Sequence, residues 1–144
     1  MKTRSIKKDE WKSEWYIIDL SGVRLGKAAT KIAALLIGKG KVNKADYHLS
    51  GDKVIAINAA KIDVHQRKVM QKKYYSHSGF PGGLRVETLN ELLEKNPKKI
   101  IENAVWGMLP KTKLRSRMVV NLRVYNDDKY IEKAQNPILV KLDK

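Results

Sequence analysis

The sequence predicts an α/β fold organised around a strand–helix–strand unit. Three observations carry this prediction. Trp15-Tyr16-Ile17-Ile18-Asp19 is short and rich in β-formers, which marks a buried first strand. Leu25, Ala28, Ala29, Ile32, Leu35 and Leu36 recur at helical spacing and give the segment from Arg24 to Ile37 one apolar face. Lys53-Val54-Ile55-Ala56-Ile57-Asn58 is a second apolar run and reads as a central strand. Two strands flanking a helix form a βαβ unit with a parallel pair.

The remaining elements follow in order. Residues 1–13 mix Lys, Arg, Asp and Glu with little periodicity and read as an N-terminal arm, with Trp11 and Trp15 anchoring it to the fold. Ser21-Gly22 breaks the first strand. On the helix, Arg24, Lys27 and Lys31 share one arc, so a cationic strip flanks the apolar face. Gly26 reads as allowing close packing while Lys27 faces out, and Gly38 reads as the C-cap. Residues 62–75 read as an extended basic segment carrying Arg67, Lys68, Lys72 and Lys73. Thr88-Leu89-Asn90-Glu91 fits a capping box that opens a short helix. Asn96-Pro97 ends that helix and starts another, with Ile100, Ile101, Ala104, Val105, Met108 and Leu109 as its inward stripe and Pro110 as its stop. A cationic cluster of Lys111, Lys113, Arg115 and Arg117 follows, then a short strand from Leu122 to Tyr125. The C-terminal tail, 126–144, carries a weak strand signal at Ile138-Leu139-Val140. No repeat, low-complexity tract or boundary interrupts the chain, so 1–144 reads as one domain.

Composition narrows the function. The 144 residues include 30 Lys and Arg against 15 Asp and Glu, a formal net charge of +15. An excess of this size is unusual for a soluble enzyme and usual for a protein that lives against a polyanion. There is no cysteine, which removes disulfides and thiolate metal sites and fits a reducing cytoplasm. His48, His65 and His77 lack ligand spacing, and Asp19, Asp46, Asp52 and Asp63 form no acidic cluster, so neither a metal nor a cofactor is expected. Asp19, at a strand end, reads as a turn residue. The longest apolar run, Ile32 to Ile37, is far short of the roughly 20 residues that span a membrane.

The densest functional signal is Tyr74-Tyr75-Ser76-His77-Ser78-Gly79-Phe80-Pro81-Gly82-Gly83-Leu84, with Lys72 and Lys73 before it and Arg85 after it. Aromatic rings and histidine stack on bases, lysine and arginine neutralise phosphates, and glycine lets the backbone approach closely. Strand alternation assigns Tyr74 and Tyr75 to opposite faces. Competing readings are weaker. Gly22-Val23-Arg24-Leu25-Gly26-Lys27 is one residue short of a phosphate-loop motif, and Ala28 stands where a magnesium-binding hydroxyl is required. Ser76, His77 and Ser78 have no carboxylate nearby in sequence to orient the imidazole.

At these residues the chain resembles the bacterial-type ribosomal protein L-thirteen family of the large ribosomal subunit. The likeness runs from about Trp15 to Pro137. It rests on Trp15 to Asp19, Leu25-Gly26-Lys27-Ala28-Ala29, Gly51-Asp52, Ile57-Asn58-Ala59, His77 to Leu84, and Ala104-Val105-Trp106-Gly107-Met108-Leu109-Pro110-Lys111 in that order. The chain departs from the family pattern at Lys27 (usually Arg), at His65-Gln66 (usually Thr-Gly), at Leu114-Arg115-Ser116 (usually Leu-Gly-Arg) and at Tyr130-Ile131-Glu132 (usually His-Pro-His).

The resemblance implies a small, mostly parallel four-stranded sheet sandwiched by helices, with extended basic loops and terminal arms. It implies a structural component of the large ribosomal subunit that binds large-subunit ribosomal RNA beside neighbouring ribosomal proteins and supports early assembly; the lack of a long basic presequence favours a bacterial over an organellar ribosome. It implies no catalysis; regulation through messenger RNA, known for some members, makes that RNA a candidate partner. The residues expected to hold phosphate are Arg24, Lys27, Lys39, Lys41, Lys68, Lys72, Lys73, Arg85, Lys111, Lys113, Arg115 and Arg117, with His77 and the Gly82-Gly83 backbone meeting RNA at closer range. The rival classes are a nucleotide- or RNA-processing enzyme, which would lose turnover on replacement of His77, Asp19 or Asp52, and a basic adaptor for acidic proteins, whose complexes would survive ribonuclease.

Overall fold

The computed structural model describes residues 12–142. The anchoring role expected of Trp11 lies outside them. β1 (Trp15–Asp19), α1 (Leu25–Ile37) and β2 (Lys53–Ile57) form the anticipated unit, with β1 and β2 parallel and Ile17 opposite Ile55. Ile32 and Leu36 of α1 are fully buried against the sheet. Each such side chain stabilises the fold by about 1.5–3 kcal/mol relative to exposure. Gly38 closes α1 in the left-handed conformation at φ 73°, and its N–H returns to the Ala34 and Leu35 carbonyls.

After β2 the chain makes a short 3-10 turn, then α2 (Gln66–Gln71), β3 (Lys73–His77) and β4 (Leu84–Thr88). α3 (Leu89–Lys95), α4 (Pro97–Met108), α5 (Arg115–Val120), β5 (Leu122–Val124) and β6 (Ile138–Val140) complete the order. The main sheet runs β5-β2-β1-β6 with every pair parallel, and helices flank it. Ile18, Val54, Ala56, Leu122 and Val124 meet Ala28, Ile32 and Leu36 of α1 and Ile101 and Val105 of α4 in one core. A smaller cluster of Leu89, Leu92 and Ile100 lies beneath α2 and the β3–β4 ribbon.

Several local expectations are corrected. Residues 62–75 are not one extended segment: α2 interrupts it over Gln66–Gln71, capped by His65, whose Nδ1 accepts from the Arg67 N–H. α2 has six residues, too few for periodicity to reveal. The glycine loop is the tip of an antiparallel hairpin, β3 paired with β4. Two strand expectations hold: the strand from Leu122 is β5, beside β2, and the weak signal in the tail is β6, which pairs with β1. Arg115 and Arg117, given no element by the sequence, stand on α5. Met108, expected inward, is exposed, because the helix ends there and Leu109 takes the buried position. Gly26 has open space around its Cα, so no close packing depends on it.

The capping predictions hold. Thr88 Oγ1 accepts from the Glu91 N–H while Glu91 reaches back to the Thr88 N–H, a reciprocal pair. Asn96 caps α4, with Pro97 in its first turn. Asp19 is a turn residue: its Oδ1 accepts from Ser21 N–H and Oγ and from Asn58 Nδ2.

Candidate nucleic-acid interface

A groove of about 920 Å³ opens between the start of α1 and the α2 segment. Arg24, Lys27, Arg67, Lys68 and Lys72 line it, together with His65 and one acid, Asp63. Leu25, Val64, Leu89 and Met108 supply apolar lining. The groove is assembled by two backbone links: the Leu25 N–H donates to the Asp63 carbonyl, and the Asp63 N–H to that of Val23. Asp63 pairs with Arg24 at 4.0 Å, but the Arg24 side chain is 86% exposed, so water screens the pair and leaves the positive field largely intact. The first turn of α1 has neither a capping side chain nor an acid. Its N–H groups therefore add partial positive charge to the same opening.

Four of the expected residues, Arg24, Lys27, Lys68 and Lys72, thus converge. Arg67 and His65 belong with them and were not anticipated as site residues. Arg67 was visible in the sequence as part of a basic stretch; its approach to Arg24 depends on the turn of α2, which the sequence did not reveal.

The β3–β4 hairpin carries a second group. Lys73, His77 and Arg85 are exposed along it. Lys72 lies over the Tyr74 ring at 5.1 Å and joins the hairpin to the groove. His77 Nδ1 accepts from the Gly79 N–H at 2.9 Å, so the neutral ring carries its proton on Nε2. The tip is closed by Ser78 N–H to Gly83 carbonyl and Gly83 N–H to Phe80 carbonyl. Gly82 holds φ at 72°, while a Cβ on Gly83 would strike Ser78 Oγ and the Phe80 carbonyl. The Gly83 backbone thus serves the loop's own packing.

The third group follows α4. Lys111, Lys113 and Arg117 are exposed. Arg115 is instead tied inward: its guanidinium stacks on Trp106 at 4.4 Å and donates to the Trp106 carbonyl. None of these four lines the groove. Beyond α1, Lys39 is exposed, but the Lys41 ammonium pairs with buried Asp52 and donates to the Lys12 carbonyl. Among the described residues no cluster of three or more His, Cys, Asp or Glu could hold a metal ion, and no helix is long and apolar enough to cross a membrane.

Comparison with known proteins gives this cationic surface its context. The family model described as Ribosomal protein L13 matches residues 13–130. The chain belongs to this ribosomal protein family. It is 42% identical over 142 residues to the Large ribosomal subunit protein uL13 of Chlorobium phaeobacteroides, covering 99% of this chain and 95% of that one. It is 45% identical over 138 residues to the protein of the same name from Syntrophotalea carbinolica, covering 96% and 97%. With that of Thermotoga petrophila it shares 43% over 141 residues, covering 98% and 95%. The family is one of structural ribosomal proteins, and the chain is a large-subunit component rather than an enzyme.

Proposed function

We propose that this protein binds large-subunit ribosomal RNA in the bacterial cytoplasm and supports an early step of subunit assembly. The observation that carries the reading is the groove where Arg24, Lys27, Arg67, Lys68 and Lys72 face a single, partly exposed acid. Five like charges held together repel one another and are stabilised when a polyanion enters. Lys73, Arg85, Lys39, Lys111, Lys113 and Arg117 extend the footprint beyond the groove and suit it to holding several RNA segments close together. Lys41 and Arg115 act from inside, one fixing the loop after α1 and the other fixing the corner between α4 and α5. Neighbouring ribosomal proteins are the second class of partner, as the relatives' naming as large-subunit proteins suggests.

Tagged protein should sediment with large subunits through a sucrose gradient at moderate salt. The variant with Arg67→Ala and Lys68→Ala should bind large-subunit RNA more weakly and show a salt slope lower by about 1 per lost contact. Sedimentation free of subunits, or a double variant that binds like the parent, would contradict the proposal.

A further inference from the structure

We propose that the outer face of the β3–β4 hairpin is a platform for unpaired RNA bases, with Tyr75 as its principal stacking ring. The inference rests on the RNA-binding reading above and assigns the hairpin a different class of RNA from the groove.

The register divides the hairpin into two faces. Tyr74 opposes Glu87 and Ser76 opposes Arg85 on one side; Lys73 opposes Thr88, Tyr75 opposes Val86 and His77 opposes Leu84 on the other. Tyr74 packs on the Leu89, Leu92 and Ile100 cluster and fixes the first side inward. The second side consequently faces away from the body. It presents Tyr75 at 68% exposure, Val86 at 46% and Leu84 at 60%. Among the described residues β3 and β4 form a sheet of their own, apart from the main one.

The chemistry of the outer face selects its occupant. It combines a phenol ring, an imidazole with a free Nε2–H, two apolar side chains and the ammonium of Lys73. Glu87, the hairpin's one carboxylate, lies on the opposite face. A planar, weakly polar surface flanked by positive charge matches a base stacked on a ring with its phosphate on a neighbouring cation. A regular duplex offers no free base face, because its bases are stacked on one another. The groove, by contrast, is lined mainly by cations and has no Tyr, Phe or Trp, His65 being its one ring. Phe80, 74% exposed at the hydrogen-bonded tip, extends the aromatic surface along the same hairpin.

The test compares binding of single-stranded oligouridylate with binding of a blunt RNA duplex of equal length. Tyr75→Ala should weaken oligouridylate binding about 5- to 150-fold and leave duplex binding nearly unchanged. Tyr75→Phe should retain both. Lys68→Ala, in the groove, should weaken both RNAs. Thiouridine-substituted oligomer should crosslink to the β3–β4 peptide of the unaltered protein, a readout independent of any variant's folding. Equal loss on both RNAs, no loss on oligouridylate, or crosslinks confined elsewhere would overturn the proposal. So would a Tyr75→Ala protein that binds both RNAs normally yet fails to dock on a neighbouring ribosomal protein. If the parent binds large-subunit RNA with strong salt dependence while Tyr75 proves indifferent, only this inference fails. If the parent binds no RNA, the functional reading fails first.

Discussion

Asp52 is 3% exposed, accepts the Glu14 N–H at 2.9 Å and faces the Lys41 ammonium. Asp52→Ala should destabilise the protein by about 2–4 kcal/mol in urea unfolding, because it strands a partly buried cation and an amide together. Next to it, a Cβ on Gly51 would sit 1.7 Å from the Leu36 carbonyl oxygen, an approach no side chain permits. Gly51→Ala should cost about 3 kcal/mol or more, since backbone would have to move on both sides. Tyr16 gives a pH signature. Its hydroxyl donates to Glu14 at 2.7 Å; that carboxylate, and then burial, push its pKa up to about 12. Burial, followed by the hydrogen bond to Glu132, raises Tyr125 as well. The folded state then holds these protons more tightly than the unfolded chain. The Tyr16 contribution is complete below about pH 10 and declines as pH rises from about 10 to 12, and the raised Tyr125 acts in the same direction. Ultraviolet titration of tyrosinate should show a late-ionising ring, with stability falling over the same range.

Among the elements, those with strong local signatures were legible. β1 and β2 were marked by β-formers, α1 by its apolar stripe, and α3 and α4 by Thr88, Asn96 and Pro97. Thr88→Ala should remove about 1 kcal/mol of stability in urea unfolding by opening the capping box. The elements marked faintly or not at all are short or need a distant partner: the tail's weak strand signal at Ile138-Leu139-Val140 is β6 and the alternation of Tyr74 and Tyr75 belongs to β3, whereas α2 carried no signal of its own. α2 is one and a half turns and makes sense only above Leu89, Leu92 and Ile100. β3 and β4 hold most of their side chains in water, so hydrophobic alternation is absent, and an isolated hairpin is marginal without the Tyr74 anchor. β6 has three residues and exists because β1 offers it an edge. The same limit applies to the interface: lysines and arginines are visible in sequence, but their convergence is set by contacts between elements. Lys41 was expected at a phosphate and lies on Asp52; Arg67 entered the groove only through the turn of α2.

For the whole molecule, a +15 chain of 144 residues holds Asp19, Asp52, Asp63 and Glu91 in turns, caps and pairs and, among the described residues, leaves most of its cations, Lys41 and Arg115 apart, on the surface. That distribution favours a protein whose field is completed by RNA, and its membership in a large-subunit ribosomal family agrees. Added large-subunit RNA should raise the melting temperature at low salt, with the shift shrinking as salt rises, because a ligand that binds only the folded state stabilises it by mass action. The most direct measurement is the equilibrium affinity for large-subunit ribosomal RNA across a salt series. With about 6–10 phosphates neutralised, affinity should fall roughly 10³- to 10⁵-fold from about 50 to 200 mM salt on the duplex scale, less steeply for single strands. An affinity that stays level across that range would contradict recognition through phosphate charge.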